Sequence, residues 1–261
     1  MNRIETSNFK DLNESEFLNE FYKVVYEFAR YLYKRFNSLL TEEKIYSQFF
    51  DNNDISCFII LNKLFFQYIY SFFILNSYEL SIPSFNSFRT TMEIFRLFRL
   101  VVLDEDFRKD YLQNKNIEFR TVRDNRFMQS KIIKKLDELE TDLRNSDTIP
   151  LSINLQNHNY TKNSTYSEIH SELSKWSHAL NVNLIFPMFI NDNKINLKIT
   201  DENSIYKELH VKKYVEGMCL MLLDHSSNLG CIGPILDDDL YAKTTELLEM
   251  YDKYVEIFYK N

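Results

Sequence analysis

Tyr166, His170, Ser174 and His178 stand four residues apart in the stretch "YSEIHSELSKWSHALN", with Ile169, Leu173, Trp176 and Leu180 between them. That interval puts side chains on one face of a helix, so the polar groups form a ladder. On it His178 can serve as a general base, and Ser174 offers a hydroxyl within one turn of either histidine. A second set, Arg89, Glu93 and Arg96, shares a narrow sector of another helix, where the arginines could clamp an anion or phosphate. If the chain is an enzyme, His178, Ser174, Arg89 and Glu93 are the expected catalytic groups, with Arg96, Tyr166 and His170 as binding groups. The same residues would serve equally as a polar tie that fixes helix register, with Arg89 and Glu93 paired to each other or to the ladder.

Metal chemistry is not expected. His170 and His178 are separated by roughly 12 Å of helix rise, too far to share one ion. No H-E-x-x-H or two-carboxylate motif occurs. Asp237, Asp238 and Asp239 read as helix capping, and His158, His210 and His225 as surface or helix-end residues. Only three glycines occur, against roughly eighteen at average usage. G-x-G-x-x-G, the P-loop and the G-x-S-x-G elbow are all missing, so neither a cofactor nor nucleotide cradling is expected.

Residues 115 to 135 hold seven lysines and arginines, among them Arg120, Arg123, Lys131, Lys134 and Lys135, against Glu118 and Asp124, a local balance of +5. Such a run is an ordinary solvated helix face or a phosphate-tracking surface, which makes RNA a possible partner there. The net charge of -7 disfavours nucleic-acid binding over the whole surface.

The elements that must position these groups are helices. Phe17, Phe21, Val24, Phe28, Tyr31 and Leu39 recur at helical spacing in a first helix. Residues 55 to 78 form a second, apolar enough to raise the question of a membrane span. Lys63, Gln67 and Ser71 interrupt it on one face, so we expect a core helix whose polar stripe looks inward or into a cleft. Pro83 suits the first turn of a third helix. A fourth spans about 118 to 143, and the ladder belongs to a fifth. Residues 184 to 200, "LIFPMFINDNKINLKIT", alternate around Asn191-Asp192-Asn193 and read as a β-hairpin. Helices resume over about 201 to 226 and 238 to 259. The expectation is an all-α multi-helix bundle forming a single domain over 1–261. Its parts are an N-terminal helix region (1–50), a core with the hairpin insertion (55–226) and a C-terminal helix (236–261).

Cys57, Cys219 and Cys231 are odd in number, with no C-x-x-C, which fits a reducing cytoplasm. The polar start "MNRIETSNFKDLNESEF" has no apolar signal core.

The order of "RTTME", carrying Arg89 and Glu93, and then "YSEIHSELSKWSH", carrying Tyr166, Ser174 and His178, resembles a group of prokaryotic helical proteins. That group is distantly similar to the HEPN superfamily, whose nuclease members occur in toxin-antitoxin and phage-defence systems. The resemblance implies a helical bundle, often dimeric, sometimes acting on RNA. HEPN ribonucleases place an arginine shortly before a histidine on one helix, and none of the five histidines here has one at that spacing. The resulting expectation is a cytoplasmic protein of defence or abortive-infection type that works by binding a protein partner or a second copy. The rivals are a metal-independent HEPN-like ribonuclease and an oligomerisation scaffold without catalysis.

Overall fold

The computed structural model describes residues 14–41, 53–113, 129–145, 169–174, 190–191, 194–195, 205–228 and 238–259. In chain order the helices are α1 (Glu14–Leu40), α2 (Asn53–Ser77), α3 (Ser81–Leu103), α4 (Glu105–Gln113) and α5 (Gln129–Asn145). A helical stretch over 169–174 follows, then α6 (Ile205–Asn228) and α7 (Asp238–Tyr259). The protein is all-α, a multi-helix bundle. Within the span read as a hairpin, Ile190–Asn191 and Lys194–Ile195 pair antiparallel, and the rest of 184–200 lies outside the described residues.

The bundle is built on aromatic side chains. α2 and α3 run antiparallel, with Phe58 against Phe98, Phe65 against Phe95 and Phe72 against Phe88 at ring-centroid distances of 6.0, 6.2 and 5.5 Å. Such pairs are favourable beyond their area burial. The chain reverses between them in three residues, Tyr78 to Leu80. Glu79 adopts φ 59, and the amides of Glu79 and Leu80 bond the carbonyls of Asn76 and Leu75. This is a Schellman closure with glutamate where glycine is usual, held at roughly 1–2 kcal/mol of local strain. Pro83 falls in the first turn of α3, where its missing N–H removes no helical bond.

α1 packs antiparallel on α7 through Phe21 and Tyr254, and on α2 through Tyr26 and Phe73. α6 passes through the middle, and every side chain from Tyr214 to Leu223 is buried. Gly217 permits that position: a Cβ there would stand 2.6 Å from Ile169 Cδ1 and 3.3 Å from Phe88 Cζ. Asp104 separates α3 from α4. Its amide caps Leu100 and its Oδ1 accepts from the Phe107 amide at 2.7 Å. Asp238 and Asp239 occupy the first turn of α7.

The polar stripe of α2 does not look inward. Lys63 and Gln67 are exposed, and Ile60, Leu64 and Ile74 beside them are 50%, 37% and 53% exposed. α2 is so apolar that its pattern has no phase, and it buries Phe65, Phe66, Ile69, Phe72 and Phe73 while leaving other apolar residues outside. By length and composition Asp54–Ser77 could cross a membrane, with a mean hydropathy of 1.6 and half of that window buried within the bundle.

Candidate functional site

α3 carries Arg89 and Glu93 one turn apart, and the 169–174 segment brings His170 to the same carboxylate. Glu93 Oε1 lies 3.1 Å from Arg89 Nε and 3.1 Å from His170 Nε2. All three side chains are half-buried. The first contact is an ion pair without hydrogen-bond alignment, and the second is a hydrogen bond. Burial pushes the Glu93 carboxyl up. The hydrogen bond with His170 and the charges of Arg89, His170 and Arg96 outweigh that and hold it below the usual carboxylate range. An ionised carboxylate only accepts, so His170 Nε2 carries the proton and donates. The nearby Gln129 Nε2 reaches the Glu93 carbonyl at 3.4 Å, joining α5 to the cluster. Chemically this is an imidazole held in one orientation by a carboxylate, beside an arginine.

The structure thus unites Arg89, Glu93 and His170 from the two sequence clusters. Ser174 donates to the His170 carbonyl at 2.8 Å, the back-bond of an ordinary helical serine. Arg96 is 1% exposed and acts on Glu93 from within the core. Tyr166, His178, Arg120 and Arg123 lie outside the described residues.

Lys131, Lys134 and Lys135 sit on α5. Lys134 pairs with Glu138 at 3.6 Å, while Lys135 is tied to Asp104 and rests 5.6 Å from the Phe107 ring centroid. They line an open cleft of about 430 Å³ together with Asp106, Asp110 and Glu138, so the described part of the basic run is charge-balanced. Among the described residues no cluster of three metal-ligating side chains occurs.

Sequence reasoning missed a buried polar pair. His225 lies in the last turn of α6, but the surface alternative is wrong: it is fully buried. Its Nε2 is 2.7 Å from Asn62 Oδ1, and its ring stacks on Phe65 at 3.9 Å. Asn62 donates to the Phe58 carbonyl at 2.8 Å, which turns its Oδ1 to His225 and makes Nε2–H the donor. Burial, then the charge of Arg99, push the imidazole down to about 3, so it is neutral. Two further bonds were equally invisible: Tyr214 Oη donates to Glu172 Oε1, and Tyr254 Oη to Glu216 Oε2, each at 3.3 Å. Their partners are distant in sequence, so no local spacing signals them.

No known protein family, curated protein or solved structure matches this chain.

Proposed function

We propose that this is a cytoplasmic partner-binding protein of prokaryotic defence or abortive-infection type, toxin-antitoxin-like in mode, which does not span a membrane. The reading of biological setting rests on the resemblance of its Arg89/Glu93 and Tyr166/Ser174/His178 patterns to HEPN-like proteins. The observation that carries partner binding is the outer face of α2, where Ile60, Leu64, Tyr68 and Ile74 are exposed on one helix of an otherwise well-filled bundle. Apolar surface concentrated in this way marks an interaction site. On this reading Arg89, Glu93 and His170 tie α3 to the 169–174 segment, and residues 184–200 form a small hairpin insertion. A photo-crosslinking residue placed at Leu64 should give a discrete adduct in cells, and one at Tyr241, 77% exposed on α7, should not. Absence of any adduct from position 64 would overturn the reading.

One observation favours a ribonuclease: Glu93 orients His170 beside Arg89. Incubation of the purified chain with total RNA, alongside His170→Ala and His178→Ala, separates the two. Cleavage lost in either variant would replace binding with catalysis.

A further inference from the structure

We infer that the α2 face takes a proline-rich segment of another protein, held as a polyproline II helix in the groove that Tyr33 of α1 forms with α2. The inference rests on the partner-binding reading and narrows it. The groove, of about 680 Å³, is walled by Tyr33, Phe66, Gln67, Tyr68 and Tyr70 and runs along α2 from Leu64 to Ile74. Among the described residues its lining carries no charge, and Lys63 and Ser77, exposed on the same helix, stand outside it. Tyr33 meets Tyr70 and Phe66 at ring-centroid distances of 5.4 and 5.6 Å and interplanar angles of 72° and 60°. Rings crossed in this way brace one another, so the wall is rigid and ribbed rather than flat.

The polar groups on this wall call for an occupant rich in acceptors and without N–H groups to bury. Among the described residues nothing bonds the hydroxyls of Tyr33, Tyr68 and Tyr70 or the side-chain amide of Gln67. Burial, then the neighbouring Tyr26, push the Tyr70 phenol up to about 12, so it stays protonated and donates. Ser71 Oγ is turned back to the Gln67 carbonyl of its own helix at 2.8 Å. A partner helix would bring carbonyls already bonded within itself, whereas polyproline II has no internal hydrogen bonds and leaves its carbonyls to be met. An ordinary extended peptide would press amide N–H groups against aromatic rings, and proline has none. Proline rings packed on aromatic side chains are the means by which such grooves read these segments. From Leu64 to Ile74 is roughly 15 Å of helix axis, the length of about five residues of polyproline II. The segment comes from another protein, because the prolines of this chain, Pro83, Pro150, Pro187 and Pro234, are scattered singly.

Fluorescence anisotropy of fluorescein-labelled decaproline, titrated with the purified full chain, reads the groove. Saturable binding with a Kd below about 100 μM is expected, against none for a glycine–serine decapeptide. Tyr68→Ala should weaken it by about tenfold. Tyr70→Phe, which keeps the ring and removes the donor, should weaken it by about fivefold. Tyr68 is exposed and Tyr70→Phe preserves the packing, so unchanged helical circular dichroism will show that both variants fold. No saturation by decaproline up to about 1 mM, or an affinity indifferent to both substitutions, would overturn the inference. If decaproline fails to bind while position 64 still cross-links a protein in cells, partner binding stands and the proline-rich class fails. Binding of cellohexaose in place of decaproline would overturn the inference and assign the groove to a saccharide. Flotation with phosphatidylcholine vesicles through Leu64, again without decaproline binding, would overturn it in favour of lipid.

Discussion

Lowering the pH should unfold this protein through His225. The imidazole is held neutral, with its folded value pushed down to about 3 from an ordinary 6.5. The unfolded chain therefore binds a proton that the folded chain refuses. Stability from this group is complete above about pH 6.5 and is lost as pH falls from there toward 3. Each pH unit in that window costs about 1.4 kcal/mol, so moving from pH 7.5 to pH 5 should remove about 2 kcal/mol. His225→Gln keeps an N–H donor for Asn62 Oδ1 but cannot titrate. It should be weaker at pH 7.5 by about 1–2 kcal/mol, having lost the stack on Phe65. Its stability should then change less between pH 7.5 and 5 than that of the wild type. Urea unfolding followed by circular dichroism at half-unit pH steps measures both curves. Parallel curves would refute the assignment of the pH dependence to His225.

Four other perturbations follow from the packing. Arg89→Ala removes one of two partners of the half-buried Glu93, and because His170 remains, the expected loss is about 1–2 kcal/mol rather than that of a stranded charge; a loss above about 3 kcal/mol in urea unfolding would show that Arg89 alone satisfies it. The depressed Glu93 value means this cluster stabilises above the unfolded carboxyl value of 4.5 and fades as pH drops below it, an effect that Glu93→Gln should abolish. Gly217→Leu should cost about 3 kcal/mol, since even a Cβ collides with Ile169 and Phe88, and an unchanged Tm would contradict the close approach. Asp104→Ala removes the Phe107 cap and the Lys135 tie, and should lower stability by about 1–2 kcal/mol with loss of amide protection in α4.

The sequence was most readable where apolar and polar residues contrast. α1 and α7 bury the stripes that periodicity named, with Phe17, Phe21 and Phe28 in one and Leu240 and Leu247 in the other. Arg89 and Glu93 pair as their four-residue spacing suggests, and His170 joins them. α2 is less readable for the opposite reason: it is apolar around most of its circumference, so the sequence leaves Lys63, Gln67 and Ser71 facing inward or into a cleft, and in the structure Lys63 and Gln67 are exposed while Gln67 and Ser71 line an open groove. Asn62 passed as a mere interruption because its partner, His225, lies 163 residues away. A lone histidine near a helix end carries no local sign of burial. Arg96 reads like a clamp by residue type, and only the tertiary packing shows that it is enclosed.

The central claim, that the outer face of α2 is covered in the working protein, is open to one direct measurement. Ile74→Cys and Tyr241→Cys, both at exposed positions, can be treated in cells with a membrane-permeant maleimide and compared after denaturation. The account predicts that cysteine at position 74 is protected until the protein is unfolded, while cysteine at position 241 reacts at once. Equal, rapid labelling at both positions would contradict it.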